Sequence, residues 1–364
     1  MQNLEIQTTE RSRLPDVDFD NLGFGGNFAD HMFSMVYQDD RWTDHKIVPY
    51  GPIPIAPGTG SLHYSQSAFE GLKAFHGADG VIRIFRPDMN AKRLANSCER
   101  LCLPEVDERT FKAAIRELVQ IDKAWIPQKR GQALYIRPLI FGDEEHLDVR
   151  PSNRYRFIVM TCPVRAYYGD EIAPVALDVQ NHYTRAAPGG VGESKTGGNY
   201  AAALLPGEKA RASGFNQALW LDGVEHRYVE EVGQMNIFFR MGDTVVTPDL
   251  RGTILPGVTR DSVITLLHDR GITVEERRID IDEVAEGIRS GHLTEAFGAG
   301  TAAVISPVGQ IAVQGERLTI NDNKLGPLTS QLYDAVTAIQ YGEVEDTHNW
   351  NMIIGNEGAQ AAAE

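Results

Sequence analysis

The sequence predicts a two-domain α+β protein, and three observations lead to that fold class. The chain has 364 residues, 42% of them hydrophobic, which exceeds the size at which a single core usually stops growing. Strand and helix patterns occur together in both halves. A stretch rich in Gly, Pro and small polar residues separates the halves. We therefore expect a smaller α+β domain over 1–166, an interdomain loop over 167–177 and a larger β-rich domain over 178–364.

The first domain is expected to contain a hairpin, two helices and two buried strands. Two alternating apolar runs surround GADG at 77–80, which is typical of a hairpin. Pro87 and Asp88 then mark the start of a helix that carries Arg93 in its early turns. A second helical pattern ends near Pro127, and the buried strands follow at 132–141 and 155–164.

The second domain is expected to begin with an apolar helix and to continue with strands. The helix covers 200–214 and contains Pro206, where we expect a kink or a break. The remaining predicted elements are a strand at 215–223, two strands around MGDT within 227–248, a helix between Pro256 and Gly271, a helix at 280–291 that starts with acidic residues, and a strand pair at 293–313.

Composition excludes several classes of function. The formal net charge is −15, which argues against binding to nucleic acid. No apolar run approaches the length of about 20 residues that a membrane helix needs, and no signal peptide is visible, so we expect a soluble cytoplasmic protein. The three cysteines, Cys98, Cys102 and Cys162, predict packing thiols rather than a disulfide framework or a metal site.

Two glycine-containing segments are candidate anion-binding sites. GAGTAA at 298–303 matches the dinucleotide fingerprint, but that motif needs a following helix, and the β-branched residues and Pro307 that come next argue against one. A glycine turn that offers backbone amides and Thr301 to an anion needs no helix. In LPGVTR at 255–260, residues Gly257 to Thr259 begin a helix whose first amides lack partners. Spacing alone does not show whether these two segments meet Arg93 at one phosphate.

Lys195 and Glu231 are the residues whose environment decides the chemistry. Lys195 lies in ESKTGGNY at 193–200, where glycines would let a planar ligand approach. An exposed lysine is the ordinary alternative, whereas burial would lower the lysine pKa enough for a Schiff base with an aldehyde. Glu231 precedes an apolar strand and would need a cationic partner if it were buried. A pyridinium nitrogen or an arginine from another element would serve.

At this point the motifs resemble a known family. EVGQMNIF at 231–238, VVT at 245–247 and LPGVTR follow the signature of the class IV pyridoxal-phosphate aminotransferases. FADHMF, LHYSQSAFEGLKAF, LYIRP, SKTGGNYAA and GTAAVISPV are similar to segments of branched-chain amino acid aminotransferases, and the resemblance runs from about residue 22 to 350. It implies the fold type IV of pyridoxal-phosphate enzymes, like D-amino acid aminotransferase, with the cofactor in the interdomain cleft.

The resemblance also implies a role for each matching residue. Lys195 would bond the cofactor covalently and move the proton, and Glu231 would keep the pyridine nitrogen protonated. Tyr200 would bond to the ring O3′. The remaining cofactor-binding residues are Arg93, Leu255, Gly257, Val258, Thr259 and Thr301.

The implied substrate site combines apolar side chains with one cation. Arg137 would meet the distal carboxylate of glutamate, and Val149 would enter the pocket of the neighbouring subunit of a homodimer. The other implied substrate residues are Phe24, Tyr64, Phe69, Tyr135, Tyr167, Gln234 and Ala302.

Two departures from the family pattern are visible. Ala303 and Ser306 occupy the positions of the redox C-x-x-C of some relatives, so thiol regulation of that kind is not expected. Gln234 stands where many members have a smaller residue, next to the expected side-chain pocket, so the resemblance does not give the fine substrate preference.

The resemblance implies reversible amino transfer between leucine, isoleucine or valine and 2-oxoglutarate. D-amino acid aminotransferase and aminodeoxychorismate lyase share the lysine and the signature, but they usually lack the long N-terminal region. A non-catalytic binding protein on the same scaffold would be expected to lack Lys195 or Glu231.

Overall fold

The computed structural model of the chain describes residues 4–165 and 172–355. The strands of this part are β1 (Glu5–Ile6), β2 (His31–Gln38), β3 (Arg41–Pro49), β4 (Ser67–Phe69), β5 (Leu72–His76), β6 (Ile82–Phe85), β7 (Ala133–Gly142), β8 (Tyr155–Val164), β9 (Val175–Gln180), β10 (Gln217–Leu221), β11 (Val229–Val232), β12 (Met235–Met241), β13 (Thr244–Thr247), β14 (Thr273–Glu276), β15 (Leu293–Gly300), β16 (Val304–Val313), β17 (Glu316–Thr319) and β18 (Asn351–Ile354). The α-helices are α1 (Gly60–Tyr64), α2 (Pro87–Arg100), α3 (Glu108–Ile121), α4 (Gly197–Ala202), α5 (Leu204–Ala212), α6 (Val258–Asp269), α7 (Ile281–Ser290) and α8 (Pro327–Tyr341).

The chain divides into two compact units. The first takes residues 1–167, 194–197 and 338–364, and the second takes 168–193 and 198–337. This division differs from the single boundary expected from the sequence, because β18 pairs with β6 and Thr196 bridges to Ala68. Lys195 therefore belongs to the first unit rather than to the second. The expected loop at 167–177 lies partly outside the described residues, and its last residues begin β9.

Within the described residues, the first unit is built on a nine-stranded sheet in the order β1-β3-β2-β8-β7-β5-β6-β18, with β4 beside β7. Its core includes the fully buried Phe33, Phe157 and Ile136 of the sheet and Phe111 and Leu118 of α3. The apolar residues of α3 recur at helical spacing, so one face of that helix is buried in this core.

Most predicted elements of the first unit are confirmed. The hairpin is β5–β6, in which Ala74 pairs with Ile84, and α2 begins at Pro87 as expected. The second predicted helix is shorter than expected, because α3 ends at Ile121 and a 3-10 turn follows. That turn carries Trp125, whose indole N–H donates to the buried Asp30 at 3.0 Å.

The described part of the second unit is built on another nine-stranded sheet, in the order β11-β10-β9-β16-β15-β12-β13-β14, with β17 beside β16. Two predictions here are wrong in detail. The helical segment breaks at Ala203, and Pro206 fits into the first turn of α5, where no intrahelical donor is lost. Three strands rather than two occupy 227–248, because Gly233 adopts a φ of 54° and separates β11 from β12.

Candidate active site

Two segments of the first unit, α2 and β4, hold the backbone around Lys195. Its N–H donates to Ser97 Oγ on α2 at 2.9 Å, and its carbonyl accepts from the N–H of Phe69 at 3.0 Å. The next residue, Thr196, donates its hydroxyl to the carbonyl of Ser67 at 2.8 Å. The lysine side chain therefore starts from a fixed backbone position.

The amine of Lys195 lies in a desolvated, aromatic environment. Its Nζ is 5.0 Å from the ring centroid of Phe69, and the residue is partly buried. Burial, helped by the charge of Arg93, lowers the pKa of Lys195 to about 8, although Glu70 and Tyr135 act in the opposite direction. A larger share of neutral amine at pH 7 makes this lysine a better nucleophile than an exposed one.

Four of the predicted substrate residues form one cluster with Lys195. Phe24 and Tyr135 make an edge-to-face ring contact at 5.0 Å. The Arg137 guanidinium lies 4.8 Å from the ring centroid of Phe69 and 5.3 Å from that of Tyr135, and it donates to the Tyr135 hydroxyl at 3.0 Å. These stacking contacts hold a cation in an otherwise apolar wall.

Tyr64 and Val149 lie at the surface of the first unit. Tyr64 is 42% exposed and Val149 is 84% exposed, while the Tyr64 hydroxyl donates to the carbonyl of Leu147. Tyr167 lies outside the described residues.

Arg93 is buried and forms an ion pair that the sequence did not reveal. Its Nε lies 2.7 Å from Oε1 of Glu70, and both side chains are at most 6% exposed. Glu70 lies next to Phe69 in the same sequence motif, but nothing in its spacing indicated that it would turn inward toward α2.

A pocket in the second unit is lined by four of the predicted site residues, Tyr200, Glu231, Gln234 and Leu255. Glu231 reaches it from β11, and its Oε2 lies 2.9 Å from Nε of Arg185, while its Oε1 accepts from the N–H of Leu255 at 2.6 Å. The arginine alternative for the partner of Glu231 is therefore realised. The pocket is lined by Arg185, Asn199, Tyr200, Ala203, Glu231, Gly233, Gln234, Met235, Asn236 and Leu255.

The start of α6 lies beside this pocket. Gly257 is its N-cap and makes no side-chain cap hydrogen bond, so the amides of the first turn, which include those of Val258 and Thr259, can serve an anion. A Cβ on Gly257 would clash with Oδ1 of Asn236. Asn236 also donates to the carbonyl of Leu255 at 2.9 Å, which fixes the entry to the helix.

Thr301 and Ala302 lie in the turn between β15 and β16. A Cβ added at the residue before them, Gly300, would lie only 3.1 Å from Cγ of Met235 and 3.7 Å from the carbonyl oxygen of Gln234. The turn is therefore adjacent to the pocket. Because it joins two antiparallel strands, the prediction that a strand rather than a helix follows the glycines at 298–303 is confirmed.

Comparison with known proteins assigns the chain to a family. The sequence model of the family described as "Amino-transferase class IV" matches residues 67–311. The chain belongs to the class IV aminotransferases. A "Probable branched-chain-amino-acid aminotransferase" of Staphylococcus aureus (strain N315) is 50% identical over 335 residues, which cover 92% of this chain and 93% of that protein.

Solved structures of aminotransferases share the fold. The branched-chain amino acid aminotransferase from Escherichia coli gives a TM-score of 0.72 at 26% identity, covering 89% of this chain and 98% of that one. The T.th. branched-chain amino acid aminotransferase complexed with N-(5'-phosphopyridoxyl)-L-glutamate gives 0.71 at 26% identity, covering 87% and 97%. The predicted fold type IV is confirmed.

The residues present suit pyridoxal phosphate, the cofactor of class IV aminotransferases. In the first unit, the Lys195 amine suits an aldehyde and the buried Arg93 suits a phosphate. In the second unit, the amides that begin α6 also suit a phosphate. An ionised carboxylate accepts up to about four hydrogen bonds, so Glu231 can serve Arg185, Leu255 and a protonated ring nitrogen. Among the described residues, no group of three His, Cys, Asp or Glu side chains could hold a metal ion, and no helix there is long and apolar enough to cross a membrane.

Proposed function

We propose that this aminotransferase moves the amino group of L-leucine, L-isoleucine or L-valine to 2-oxoglutarate, and back, giving branched 2-oxo acids and L-glutamate. The observation that carries the proposal is the partly buried Lys195, whose amine lies over the ring of Phe69 beside Tyr135 and Arg137. An apolar wall suits a branched aliphatic side chain, and the names of the relatives agree with that substrate class.

Lys195 is the catalytic residue of this proposal. When bound, pyridoxal phosphate supplies an electron sink for the pair left when the substrate Cα–H bond breaks. The amine of Lys195, with its pKa lowered to about 8, is suited to take that proton from Cα and to deliver it to C4′ of the cofactor, and to carry a proton in the reverse direction in the second half-reaction. The tether to Ser97 and Phe69 keeps the amine in one place for both transfers.

The other cofactor-binding residues act through charge and hydrogen bonds. Glu231 would hold the ring nitrogen in its protonated form, and Tyr200 would bond to the ring oxygen. The phosphate would be held by Arg93 and by backbone amides or hydroxyls of the second unit. We assign that set to Val258, Thr259 and Thr301, and we place Leu255 and Gly257 among the other residues that would contact the cofactor.

Two kinds of substrate use one pocket in the proposal. Phe24, Phe69, Tyr135 and Tyr167 would contact the branched side chain, while Arg137 would pair with the distal carboxylate of glutamate. Because Arg137 is stacked on aromatic rings, its cation is available without disrupting the apolar wall. Tyr64 and the Thr301–Ala302 backbone would hold the α-carboxylate, and Gln234 would tune specificity.

The family resemblance further supports a homodimer that works in the cytoplasm. Val149, which is exposed in the single chain, would enter the substrate pocket of the second subunit.

The function is tested by measuring glutamate formation from 2-oxoglutarate with L-leucine, L-isoleucine and L-valine in turn. We expect all three to serve as donors, and D-leucine run in parallel to give no product. Turnover of D-leucine in place of L-leucine would support the D-amino acid rival. Inactivity with every donor, in protein that has taken up pyridoxal phosphate, would overturn the proposal.

A further inference from the structure

Glu70 is a fully buried carboxylate that lies between β4 and β5 of the first unit. Its side chain is 0% exposed. Oε1 accepts from Nε of Arg93 at 2.7 Å, and Oε2 accepts from Nη2 of Arg93 at 2.8 Å. Oε2 also accepts from Nδ2 of Asn90 at 2.7 Å and from the N–H of Gly71 at 3.1 Å.

These contacts keep the Glu70 carboxylate charged, although burial of a charge is energetically unfavourable. Burial raises the pKa of the Glu70 carboxyl, but the charge and hydrogen bonds of Arg93, together with the charge of Lys195 and the hydrogen bond from Asn90, outweigh burial and leave that pKa below its ordinary value. The pair is bidentate, so the plane of the guanidinium is fixed as well as its position. Glu70 thus controls the orientation of Arg93.

The same network reaches Lys195. Ser97, one turn after Arg93 on α2, donates its hydroxyl to the Arg93 carbonyl at 3.0 Å and accepts from the N–H of Lys195 at 2.9 Å. On the other side, Phe69 precedes Glu70 and donates its N–H to the Lys195 carbonyl. Glu70, Arg93 and Lys195 therefore belong to one hydrogen-bond network.

We propose that Glu70 is a positioning residue for an anion site at Arg93, and that the anion is the phosphate group of the cofactor. The inference rests on the proposed function. Glu70 occupies the Nε–Nη2 edge of the guanidinium, and this contact sets the plane in which Arg93 presents its charge. Asn90 supports the arrangement by holding the Glu70 carboxylate from the same helix as Arg93.

A purely structural ion pair is the competing explanation, and the phosphate itself separates the two. Pyridoxal has the ring and aldehyde of the cofactor but no phosphate. A residue that positions Arg93 for phosphate affects the affinity for pyridoxal phosphate and leaves that for pyridoxal unchanged. A residue that only stabilises the fold affects both alike.

The experiment measures dissociation constants of pyridoxal phosphate and pyridoxal for the apoprotein, in the wild type and in Glu70→Gln. We expect Glu70→Gln to raise the dissociation constant of pyridoxal phosphate at least about tenfold, as for the loss of a charged hydrogen bond. The dissociation constant of pyridoxal should change by less than about twofold. Inorganic phosphate should compete with pyridoxal phosphate less well in the variant than in the wild type. Asp143→Asn is the matched control, because Asp143 is another buried carboxylate of the first unit, paired with Arg154 and Arg156. We expect its ratio of the two affinities to equal that of the wild type.

If Glu70→Gln does not fold, Asn90→Ala replaces it, since it removes one donor to Glu70 and keeps the ion pair. We then expect a selective loss of about threefold for pyridoxal phosphate. Equal weakening of both ligands, or no change in either, would overturn the inference while leaving the proposed function intact. A wild-type protein that binds neither ligand would overturn the proposed function and the inference with it.

Discussion

Nε of Arg185 lies 2.9 Å from Oε2 of Glu231, and the two side chains are only 7% and 3% exposed. Arg185 also donates to the carbonyl of Thr253 at 2.8 Å. A buried carboxylate that loses its cationic partner is strongly destabilising, so this arginine makes it possible for Glu231 to be charged inside the second unit.

We predict that Arg185→Leu lowers the free energy of unfolding of the apoprotein by about 3–5 kcal/mol, because it leaves Glu231 charged and unpaired by a cation. Urea unfolding measures this change. Arg251→Ala is the control, since Arg251 forms an exposed pair with Asp249, and its effect should be below about 1 kcal/mol. Equal losses in the two variants would show that the buried pair has no special role.

We predict that the amine of Lys195 in the apoprotein loses its proton near pH 8, because burial lowers its pKa to about that value. The rate of acetylation of Lys195, followed by mass spectrometry against pH, should level off above pH 8, and the exposed Lys324 serves as the internal reference. The folded pKa lies below the unfolded one, so the unfolded state binds more protons between about pH 8 and the ordinary lysine pKa. The contribution of Lys195 to stability should therefore become more favourable as pH rises through that range. A rate that keeps rising to about pH 10, the range of an ordinary lysine, would contradict this prediction.

We predict that Gly71→Ala disrupts the cluster that Tyr135 and Arg137 form near Lys195, because a Cβ at this position would clash with the Tyr135 hydroxyl oxygen. Tyr135 would have to move, and its hydrogen bond with Arg137 would break. We expect kcat/KM for 2-oxoglutarate to fall by about tenfold or more, with a loss of about 1–3 kcal/mol in stability. Gly51→Ala is the control, since nothing lies within 4 Å of a Cβ there. Unchanged kinetics in Gly71→Ala would rule out this role of Tyr135.

We predict that Arg137→Met separates the two half-reactions. The second-order rate constant with 2-oxoglutarate should fall by about a hundredfold, as expected for loss of a buried charged pair, while that with L-leucine should change by a few-fold at most. Single-turnover kinetics of each half-reaction measure the two constants. Equal losses for both substrates would show that Arg137 does not recognise the distal carboxylate.

The sequence predicted the local parts of the structure well. The hairpin β5–β6, the start of α2 at Pro87 and the glycine turn before β16 follow from turn chemistry and from the fixed backbone of proline. The predicted position of the helix break, at Pro206, was wrong. The break lies at Ala203, because proline is tolerated in a first helical turn.

The pairing of buried charges could not be predicted in the same way. Glu70 with Arg93, and Glu231 with Arg185, are contacts between residues far apart in the chain, and no local pattern encodes them. A general argument did give half of the answer, since a buried carboxylate needs a cation, but it could not choose which arginine supplies it. Packing of whole elements decides that choice.

The visible absorption spectrum of the purified protein tests most directly whether Lys195 bonds pyridoxal phosphate and takes part in amino transfer from L-leucine. We predict a yellow band that disappears when L-leucine is added, persists with D-leucine, and is absent from Lys195→Ala. A colourless protein that takes up no pyridoxal phosphate, or a band unaffected by both leucine and the substitution, would contradict the account.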